Sequence, residues 1–162
     1  MKSLLLIRHA KSSWDLDVDD FDRPLDHRGQ KDAPKMAQRL KKKEIKIDCF
    51  ISSPAKRAIT TAAHFAAAYD KKLQEIITIP SLYEPTIQDF YNAIEDLDED
   101  FKTVAVISHN PTITSFANQL TSFKIEDMPT CAVFAVKSDG VKWKDFTSLT
   151  KEFWFFDYPK AD

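Results

Sequence analysis

Two histidines and two arginines of this chain carry side chains of the kinds that phosphoryl transfer requires: Arg8, His9, Arg57 and His109. Phosphoryl transfer needs positive charge around three equatorial oxygens and a nucleophile in line with the leaving group. The guanidinium forks of Arg8 and Arg57 suit the oxygens, because each donates two hydrogen bonds in fixed geometry. A histidine nitrogen can attack phosphorus and form a covalent intermediate. We assign that attack to His9 and expect His109 to donate to the oxygens.

Three short apolar segments must position these side chains, because each segment runs directly into polar residues. The segments and the polar residues after them are 4–7 before Arg8-His9, 48–51 before Ser52-Ser53, and 103–107 before Ser108-His109-Asn110. Such runs are typical of strands buried on both faces of a parallel sheet. The carboxyl ends of parallel strands share one edge, where ligands bind in open α/β folds. We therefore expect the two histidines and two arginines to meet there.

Helix-start signals follow two of these strands. Ser53 is a candidate N-cap with Pro54 as first helical residue, and Asn110 with Pro111 repeats the pattern. The unpaired N–H groups and the macrodipole at a helix N terminus favour an anion. The same helix end disfavours a protonated His109, so we expect bound phosphate to compensate. The sequence thus predicts a phosphate pocket built from helix ends and cationic side chains.

The remaining pattern predicts a three-layer α/β/α architecture with a mainly parallel central sheet. Asp26 is a candidate N-cap for a helix ending at residues 41–43, with Pro34 either at a kink or in its first turn. Thr86 is a candidate cap for a short helix to about residue 97. The further predicted strands are 75–79, 132–136, a sixth at 141–146 after a hairpin turn at Gly140, and the aromatic run 153–156 as a late strand or covering arm.

Length and composition limit the possible classes of protein. With 162 residues and a formal charge of -2, we expect a single domain over residues 1–162 that does not bind nucleic acid. The apolar run 4–7 is too short for a signal sequence or a membrane span, so we expect no membrane association and a cytoplasmic location. Cys49 and Cys131 lie in apolar segments and fit reduced core positions.

Several kinds of binding site are excluded by residue usage. The chain has only two glycines, Gly29 and Gly140, too few for a Walker loop, a dinucleotide fingerprint or a G-x-S-x-G elbow. The histidines lack metal-ligand spacing, and a calcium loop in the acidic run 15–22 would need glycine at Asp20. We expect no metal and no cofactor. We interpret the acidic run as a solvated loop, which would disfavour bisphosphoglycerate if it borders the pocket.

Three motifs resemble the histidine phosphatase superfamily, which has the phosphoglycerate-mutase-like fold. They are L-x-x-R-H at the amino end, S-S-P-x-x-R-A-x-x-T-A over residues 52–62, and S-H-N-P over residues 108–111. The R-H-A-K-S-x-W start, the stretch Asp22-Arg23-Pro24-Leu25 and the small size resemble the SixA-like phosphohistidine phosphatases in particular. This resemblance implies that the four basic residues form the phosphate pocket and that the first histidine, His9, is phosphorylated during turnover.

The same motifs add Ser12, Arg23 and Asn110 as candidates for phosphate or substrate binding. The glycine that usually follows the first histidine is Ala10 here, so we expect backbone without a positive φ at that point. Glu84 is the candidate general acid, because it follows the third predicted strand near the same edge. A phosphohistidine protonated on its other ring nitrogen leaves as neutral imidazole and needs such an acid less than an alkoxide does.

We therefore expect a metal-independent phosphatase that hydrolyses protein phosphohistidine through a covalent intermediate on His9. Its expected partner is a phosphorylated protein, such as a phosphohistidine domain, or a small phosphate ester. Three alternatives stay open at this point: a small-molecule phosphomonoesterase, a mutase of the same superfamily, and a non-catalytic phosphoprotein-binding module. A mutase must protect its phosphoenzyme from water, and a binding module requires that His9 is never phosphorylated.

Overall fold

The computed structural model describes residues 1–140 and 142–161, and a β-sheet lies at its centre. Within these residues the sheet has six strands: β1 (Lys2–Arg8), β2 (Cys49–Ser52), β3 (Ile77–Thr78), β4 (Thr103–Ser108), β5 (Val133–Ser138) and β6 (Lys151–Asp157). Their order across the sheet is β3-β2-β4-β1-β5-β6. The first four strands of that order are parallel, whereas β5 pairs antiparallel with β1 on one side and with β6 on the other. The prediction of a mainly parallel central sheet is confirmed.

Helices cover both faces of this sheet. The α-helices of the described residues are α1 (His27–Lys42), α2 (Lys56–Ala68), α3 (Ile87–Glu95) and α4 (Thr112–Leu120). Alternate side chains of a strand point to opposite faces. Accordingly, Leu5 of β1 packs with apolar side chains of α1 and α2, whereas Leu4 packs with those of α3 and α4. This arrangement confirms the three-layer α/β/α prediction.

The carboxyl ends of the central strands are aligned at one edge. Arg8 at the end of β1 is in register with Ser108 at the end of β4. The main chain continues this alignment, because the His9 amide donates to Ser108 O at 3.2 Å and the Ser53 amide donates to Ile107 O at 3.0 Å. The polar residues that follow the three strands are therefore held side by side by backbone hydrogen bonds.

The predicted N-caps Ser53 and Asn110 are wrong by two residues and by one residue, respectively. The N-cap of α2 is Ala55, and Ser53 accepts the Ala55 amide through its Oγ at 3.2 Å in a turn before the helix. The N-cap of α4 is Pro111, with no side-chain capping bond. The side chain of Ser53 instead contacts His109, and that of Asn110 contacts Asp127 and, within α4, Thr114. Local capping signals were overridden by these tertiary contacts.

The predictions for the other helices are confirmed at their N termini. The Asp26 side chain accepts from the Gly29 amide at 2.8 Å, and α1 continues as a helix on both sides of Pro34. Thr86 caps α3 reciprocally with Asp89, as in a capping box. The third strand is shorter than predicted, because residues 73–75 form a 3-10 turn and only Ile77–Thr78 pair with β2.

The predicted sixth strand at 141–146 is wrong in its described part. Val141 lies outside the described residues, and Trp143–Ser148 is a 3-10 helix. The reason is tertiary: the Trp143 amide donates to Glu99 Oε1 at 2.7 Å and its indole Nε1 donates to Phe101 O at 2.8 Å, which buries the ring. The aromatic run instead forms β6, confirming the late strand.

Two further predictions concern thiols and membrane spans. Cys49 and Cys131 are both buried and free, in agreement with core positions. None of the helices in residues 1–140 and 142–161 combines the length and the apolar character needed to span a bilayer. Strands from both ends of the chain join one sheet. The single-domain organisation over residues 1–162 stays a prediction.

Candidate active site

A cleft of about 540 Å³ opens at the carboxyl edge of the central strands. Its lining includes all four basic residues predicted to meet there and the three added candidates: Arg8, His9, Arg57, His109, Ser12, Arg23 and Asn110. A second cavity of about 370 Å³ shares Arg57, His109 and Asn110 with the cleft and is also lined by Glu84. The structure thus brings together every residue that the sequence placed at this edge, with Glu84 in the adjoining cavity.

His9 is held with one ring nitrogen fixed and the other available. Its Nδ1 donates to the carbonyl oxygen of Ala10 at 2.7 Å, because a carbonyl can only accept. Nε2 therefore carries the lone pair of a neutral ring. The pKa of His9 is lowered to about 3, mainly by burial and in part by the nearby charges of Arg57 and Arg8, while the Ala10 hydrogen bond acts in the opposite direction. The His9 ring is thus uncharged at neutral pH, the state that its predicted role as nucleophile requires.

The backbone beside His9 is fixed by groups from three other segments. The Ala10 amide donates to Thr61 Oγ1 at 2.9 Å, and Thr61 in turn donates to Arg57 O at 2.8 Å. The Cys131 amide lies within hydrogen-bond distance of the carbonyls of Arg8 and His9. Ala10 is buried and has no positive φ, as expected for a residue that replaces glycine. Thr61 thus connects the backbone beside His9 to α2, a role that the motif over residues 52–62 does not indicate although it includes this threonine.

The two predicted phosphate-binding arginines are held by hydrogen bonds from the terminal nitrogens of their guanidinium groups. Arg8 donates through NH1 to Met128 O at 2.8 Å. Arg57 donates to Asp20 twice, through NH1 to the backbone oxygen at 2.7 Å and through NH2 to Oδ2 at 3.1 Å. The Nε atoms of Arg8 and Arg57 are buried without a hydrogen-bond partner. Each guanidinium therefore keeps unused donors, the property needed to bind an anion.

His109 is positioned by Ser53. A hydrogen bond of 2.7 Å joins His109 Nε2 to Ser53 Oγ, and Nδ1 is buried without a partner. The rings of His109 and His9 have their centroids 5.1 Å apart. The pKa of His109 is lowered to about 4, mainly by burial and in part by the charge of Arg57, while Asp20 acts in the opposite direction. Protonation of His109 is thus disfavoured as expected, but burial is its main cause.

The three added candidates are already engaged with other protein groups. Arg23 donates through NH1 to Ser12 Oγ at 2.6 Å, and its guanidinium lies 3.5 Å from the centroid of the Trp14 ring. Asn110 donates through Nδ2 to Asp127 Oδ1 at 2.8 Å, which ties the start of α4 to the loop before β5. These side chains line the cleft and stiffen its wall. Their predicted phosphate binding stays a prediction.

Glu84 and the acidic run differ from each other in their contacts. Glu84 is exposed in the second cavity and has a positive φ of 52°. All five aspartates of the acidic run are exposed, as expected for a solvated loop, but Asp20 also bonds to residues of the cleft. Asp20 forms ion pairs with Arg23 and Arg57 at 3.1 Å each, and Tyr83 donates to it at 2.7 Å. The i,i+3 spacing of Asp20 and Arg23 was the available sequence signal.

No group of three or more potential metal ligands occurs within residues 1–140 and 142–161. The charged groups at the cleft are cationic, and they lie around an uncharged histidine whose Nε2 is free. This arrangement can bind a phosphoryl group by arginine donors and accept it on a nitrogen atom.

Comparison with known proteins agrees with this chemistry. Residues 4–92 match the histidine phosphatase superfamily, branch 1. An uncharacterized chloroplastic protein of Arabidopsis thaliana is 30% identical over 158 residues, which cover 92% of this chain and 72% of that protein. The match to the family spans more than half of the chain and includes the first two of the three motifs.

Solved structures share the fold at low sequence identity. The protein histidine phosphatase SixA complexed with tungstate has a TM-score of 0.82 at 22% identity, with 97% of each chain covered. A mycobacterial glucosyl-3-phosphoglycerate phosphatase has a TM-score of 0.70 at 14% identity, with 99% of each chain covered. Because the family match extends over more than half of the chain, including β1 and α2, the chain belongs to the histidine phosphatase superfamily and is an enzyme of the phosphatase class.

Proposed function

We propose that this phosphatase hydrolyses protein phosphohistidine through a covalent phosphoryl intermediate on Nε2 of His9. One observation carries the proposal: His9 Nδ1 donates to Ala10 O at 2.7 Å, which leaves Nε2 unprotonated inside a cationic cleft. The nucleophile needs no activating base, because burial already keeps the ring neutral.

In the first step, His9 Nε2 attacks phosphorus and the bond from phosphorus to the leaving group breaks. Arg8 and Arg57 donate to the equatorial oxygens through N–H groups that the protein leaves unpaired, and His109 lies beside them. These donors stabilise the charge that spreads over the oxygens in the transition state. A leaving imidazole takes the bonding electron pair and departs neutral when its other nitrogen carries a proton.

In the second step, water attacks the phosphoryl group on His9. The bond between phosphorus and Nε2 breaks, its electron pair returns to Nε2, and the water proton is released with inorganic phosphate. The hydrogen bond from Nδ1 to Ala10 O is kept throughout, so the His9 ring returns to the neutral state that it had before the first step. Arginine and histidine side chains surround the phosphoryl oxygens and can stabilise their negative charge in both steps. This supports a metal-independent reaction without a cofactor.

Exposed apolar side chains beside the cleft support a protein substrate. Trp14 lines the cleft and is 75% exposed, and Leu16 and Val18 of the same loop are 52% and 45% exposed. Large apolar groups clustered at a surface commonly mark a contact with another protein. The fold likeness to the protein histidine phosphatase SixA points in the same direction. We propose a phosphorylated protein as the physiological partner.

A small-molecule phosphomonoesterase is the second candidate function. Two further cations, Lys11 and Arg28, line the cleft and are suited to a second anionic group on a small substrate. Each is paired with an acid, Lys11 with Asp26 at 3.5 Å and Arg28 with Asp32 at 3.4 Å, which reduces their free charge. The likeness to the mycobacterial phosphatase concerns its fold. These observations favour the protein substrate.

A turnover panel tests the proposal. Initial rates are measured on a phosphohistidine protein, phosphoramidate, an aryl phosphate and phosphoglycerate, with and without a chelator. We expect the highest kcat/KM on the phosphohistidine protein and no effect of chelation. Faster turnover of phosphoglycerate would favour the small-molecule candidate. Transfer of the phosphoryl group to a second sugar-acid acceptor would indicate a mutase, and binding without turnover would indicate a non-catalytic module.

A matched pair of variants tests the protein contact. Leu16→Ser with Val18→Ser removes apolar area from the loop, whereas Leu73→Ser changes an exposed leucine outside the cleft. The loop variant should lose about 5- to 100-fold in kcat/KM on the phosphohistidine protein, because one or two buried side chains carry that much energy. Its rate on phosphoramidate should not change. Equal losses on both substrates would contradict a protein-docking role for the loop.

We also propose a cytoplasmic location. Both cysteines are buried free thiols, which suits a reducing compartment. The net charge of -2 gives no electrostatic attraction to nucleic acid or to an anionic membrane surface.

A further inference from the structure

We propose that Asp20 is a specificity-determining residue, whose carboxylate selects against substrates that carry a second anionic group next to the phosphoryl group. The inference rests on the proposed function, because it assumes that Arg57 binds the phosphoryl group. It adds a property that the four basic residues do not supply. They attract any phosphate monoester, whereas Asp20 discriminates among leaving groups.

Asp20 lies directly against the phosphate-binding side of the site. Its Oδ2 accepts from Arg57 NH2 at 3.1 Å and from the Tyr83 hydroxyl at 2.7 Å. Its Oδ1 accepts from Arg23 Nε at 3.1 Å, and its backbone oxygen accepts from Arg57 NH1 at 2.7 Å. The arginine side chains are 7% and 8% exposed, whereas that of Asp20 is 48% exposed. The carboxylate is thus fixed by buried groups and still faces solvent.

The contacts leave Arg57 able to bind phosphate at the same time. A guanidinium has five N–H donors, and Asp20 uses one from NH1 and one from NH2. The remaining donors, which include the unpaired Nε–H, are available to a phosphoryl oxygen. Asp20 and a bound phosphoryl group would therefore share one guanidinium.

Asp20 lies on the side of the site where a leaving group has room. It lines the second cavity together with Tyr83 and Glu84, and that cavity adjoins the phosphate cleft through Arg57 and His109. A carboxylate on the substrate would approach Asp20 and Glu84 there and be repelled. An imidazole or another neutral or cationic group would not be repelled.

The carboxylate stays ionised at neutral pH. Partial burial raises the pKa of Asp20, but the hydrogen bond from Tyr83, the charge of Arg57 and the hydrogen bond from Arg23 outweigh it and hold the pKa at about 2. The repulsion therefore acts across the working pH range. Two unit charges about 6 Å apart near a protein surface interact strongly enough to change a rate by about 3- to 30-fold.

A matched pair of alkyl phosphates measures this effect. Glycerol 3-phosphate and 3-phosphoglycerate have nearly the same shape, and only the second carries a carboxylate. The discrimination ratio is kcat/KM for glycerol 3-phosphate divided by kcat/KM for 3-phosphoglycerate. Where turnover is slow, the ratio of their inhibition constants against an aryl phosphate replaces it.

The test variant is Asp20→Asn, which keeps an oxygen acceptor for Arg57 and Tyr83 but removes the charge. Asp20→Ser is measured in parallel, so that the ratio is available even if one variant does not fold. The control is Asp22→Asn, an exposed acid of the same turn with no side-chain hydrogen bond or ion pair to the cleft arginines. Both Asp20 variants should lower the discrimination ratio by about 3- to 30-fold, and the control should leave it unchanged.

Three results would overturn the inference. An unchanged ratio in both Asp20 variants would show that the carboxylate does not select substrates. An equal loss on both substrates would show that Asp20 only supports Arg57. The same change in Asp22→Asn would show a general effect of loop charge. Failure of the proposed function is a different result, because the wild-type enzyme would then hydrolyse neither aryl phosphate nor phosphohistidine.

Discussion

The hydroxyl of Ser53 and Nε2 of His109 lie 2.7 Å apart and join the ends of two neighbouring parallel strands, β2 and β4. Ser53 Oγ also accepts the Ala55 amide at 3.2 Å, so the turn before α2 fixes the ring that faces the cleft. His109 thus has its orientation set from outside its own helix.

Removal of this contact should reduce activity without unfolding the protein. Ser53→Ala should lower kcat/KM on an aryl phosphate by about 10- to 100-fold, the usual cost of losing a residue that orients a catalytic side chain. Steady-state kinetics and thermal melts provide the measurement, with Ser81→Ala as the exposed-serine control. If the melting temperature falls by many degrees while the activity per folded molecule is unchanged, Ser53 has a structural role instead.

Arg57→Lys keeps a positive charge but loses the planar fork. We expect a loss of about 10- to 1000-fold in kcat/KM, equivalent to about 1.4 to 4 kcal/mol of transition-state stabilisation. The melting temperature should change little, because the group faces a cleft and its partner Asp20 is half-exposed. Loss of folding with full activity of the folded fraction would mean that the arginine is structural.

Glu84→Gln separates the substrate classes. A phosphohistidine releases neutral imidazole, so this reaction should barely change. Alkyl phosphates release an alkoxide that needs a proton, and their rates should fall by about 10²- to 10⁴-fold if Glu84 supplies it. Aryl phosphates should lose much less. Measurement of all three classes decides the role of Glu84, because equal losses on each would contradict proton donation.

The two buried histidines should make folding less favourable in mild acid. Their folded-state pKa values, about 3 for His9 and about 4 for His109, are lowered from 6.5 mainly by burial. Between pH 6.5 and 4.5 the unfolded chain binds protons that the folded protein excludes, so the free energy of unfolding falls as pH falls. Each histidine contributes at most about 1.4 kcal/mol per pH unit.

Urea unfolding at pH 7.0, 6.0 and 5.0 measures this slope. Asp20 does not contribute in that window, because its pKa is lowered from 3.8 to about 2 and therefore affects stability only in stronger acid. His9→Asn should reduce the slope, because one of the excluded protons is gone. An identical slope in the variant and the wild type would contradict the burial argument.

The elements that carry the site could be predicted from the sequence because strand burial and helix caps are local signals. The apolar run 4–7 indicated a central strand, and the polar residues after three such runs indicated their common edge. The predicted starts of α2 and α4 were misplaced, because the side chains of Ser53 and Asn110 form hydrogen bonds with residues distant in sequence. The prediction of a strand at 141–146 was wrong for the same reason, because hydrogen bonds to Glu99 and Phe101 hold Trp143 in a 3-10 helix.

The contacts of Asp20 with Arg57 and Tyr83, and the contact of Thr61 with Ala10, could not be predicted from the sequence. Asp20 resembles the other acids of its loop, and only the fold brings it to Arg57 and Tyr83. Thr61 is the threonine of the motif over residues 52–62, but the motif does not show that this side chain accepts the Ala10 amide. Residue types indicated the candidate groups for the chemistry, whereas the groups that hold them in place depend on long-range packing.

The central claim, that His9 Nε2 accepts the phosphoryl group, is tested most directly by rapid quench with a substrate labelled in its phosphoryl group. The account predicts a phosphoenzyme that is labile in acid and stable in base, present in the wild type and in the control His64→Ala, and absent from His9→Ala. His64 is a suitable control because it lies on α2 with its ring bonded to Gln30 at 2.9 Å, outside the cleft lining. Label retained by His9→Ala, or full turnover by that variant, would contradict the account.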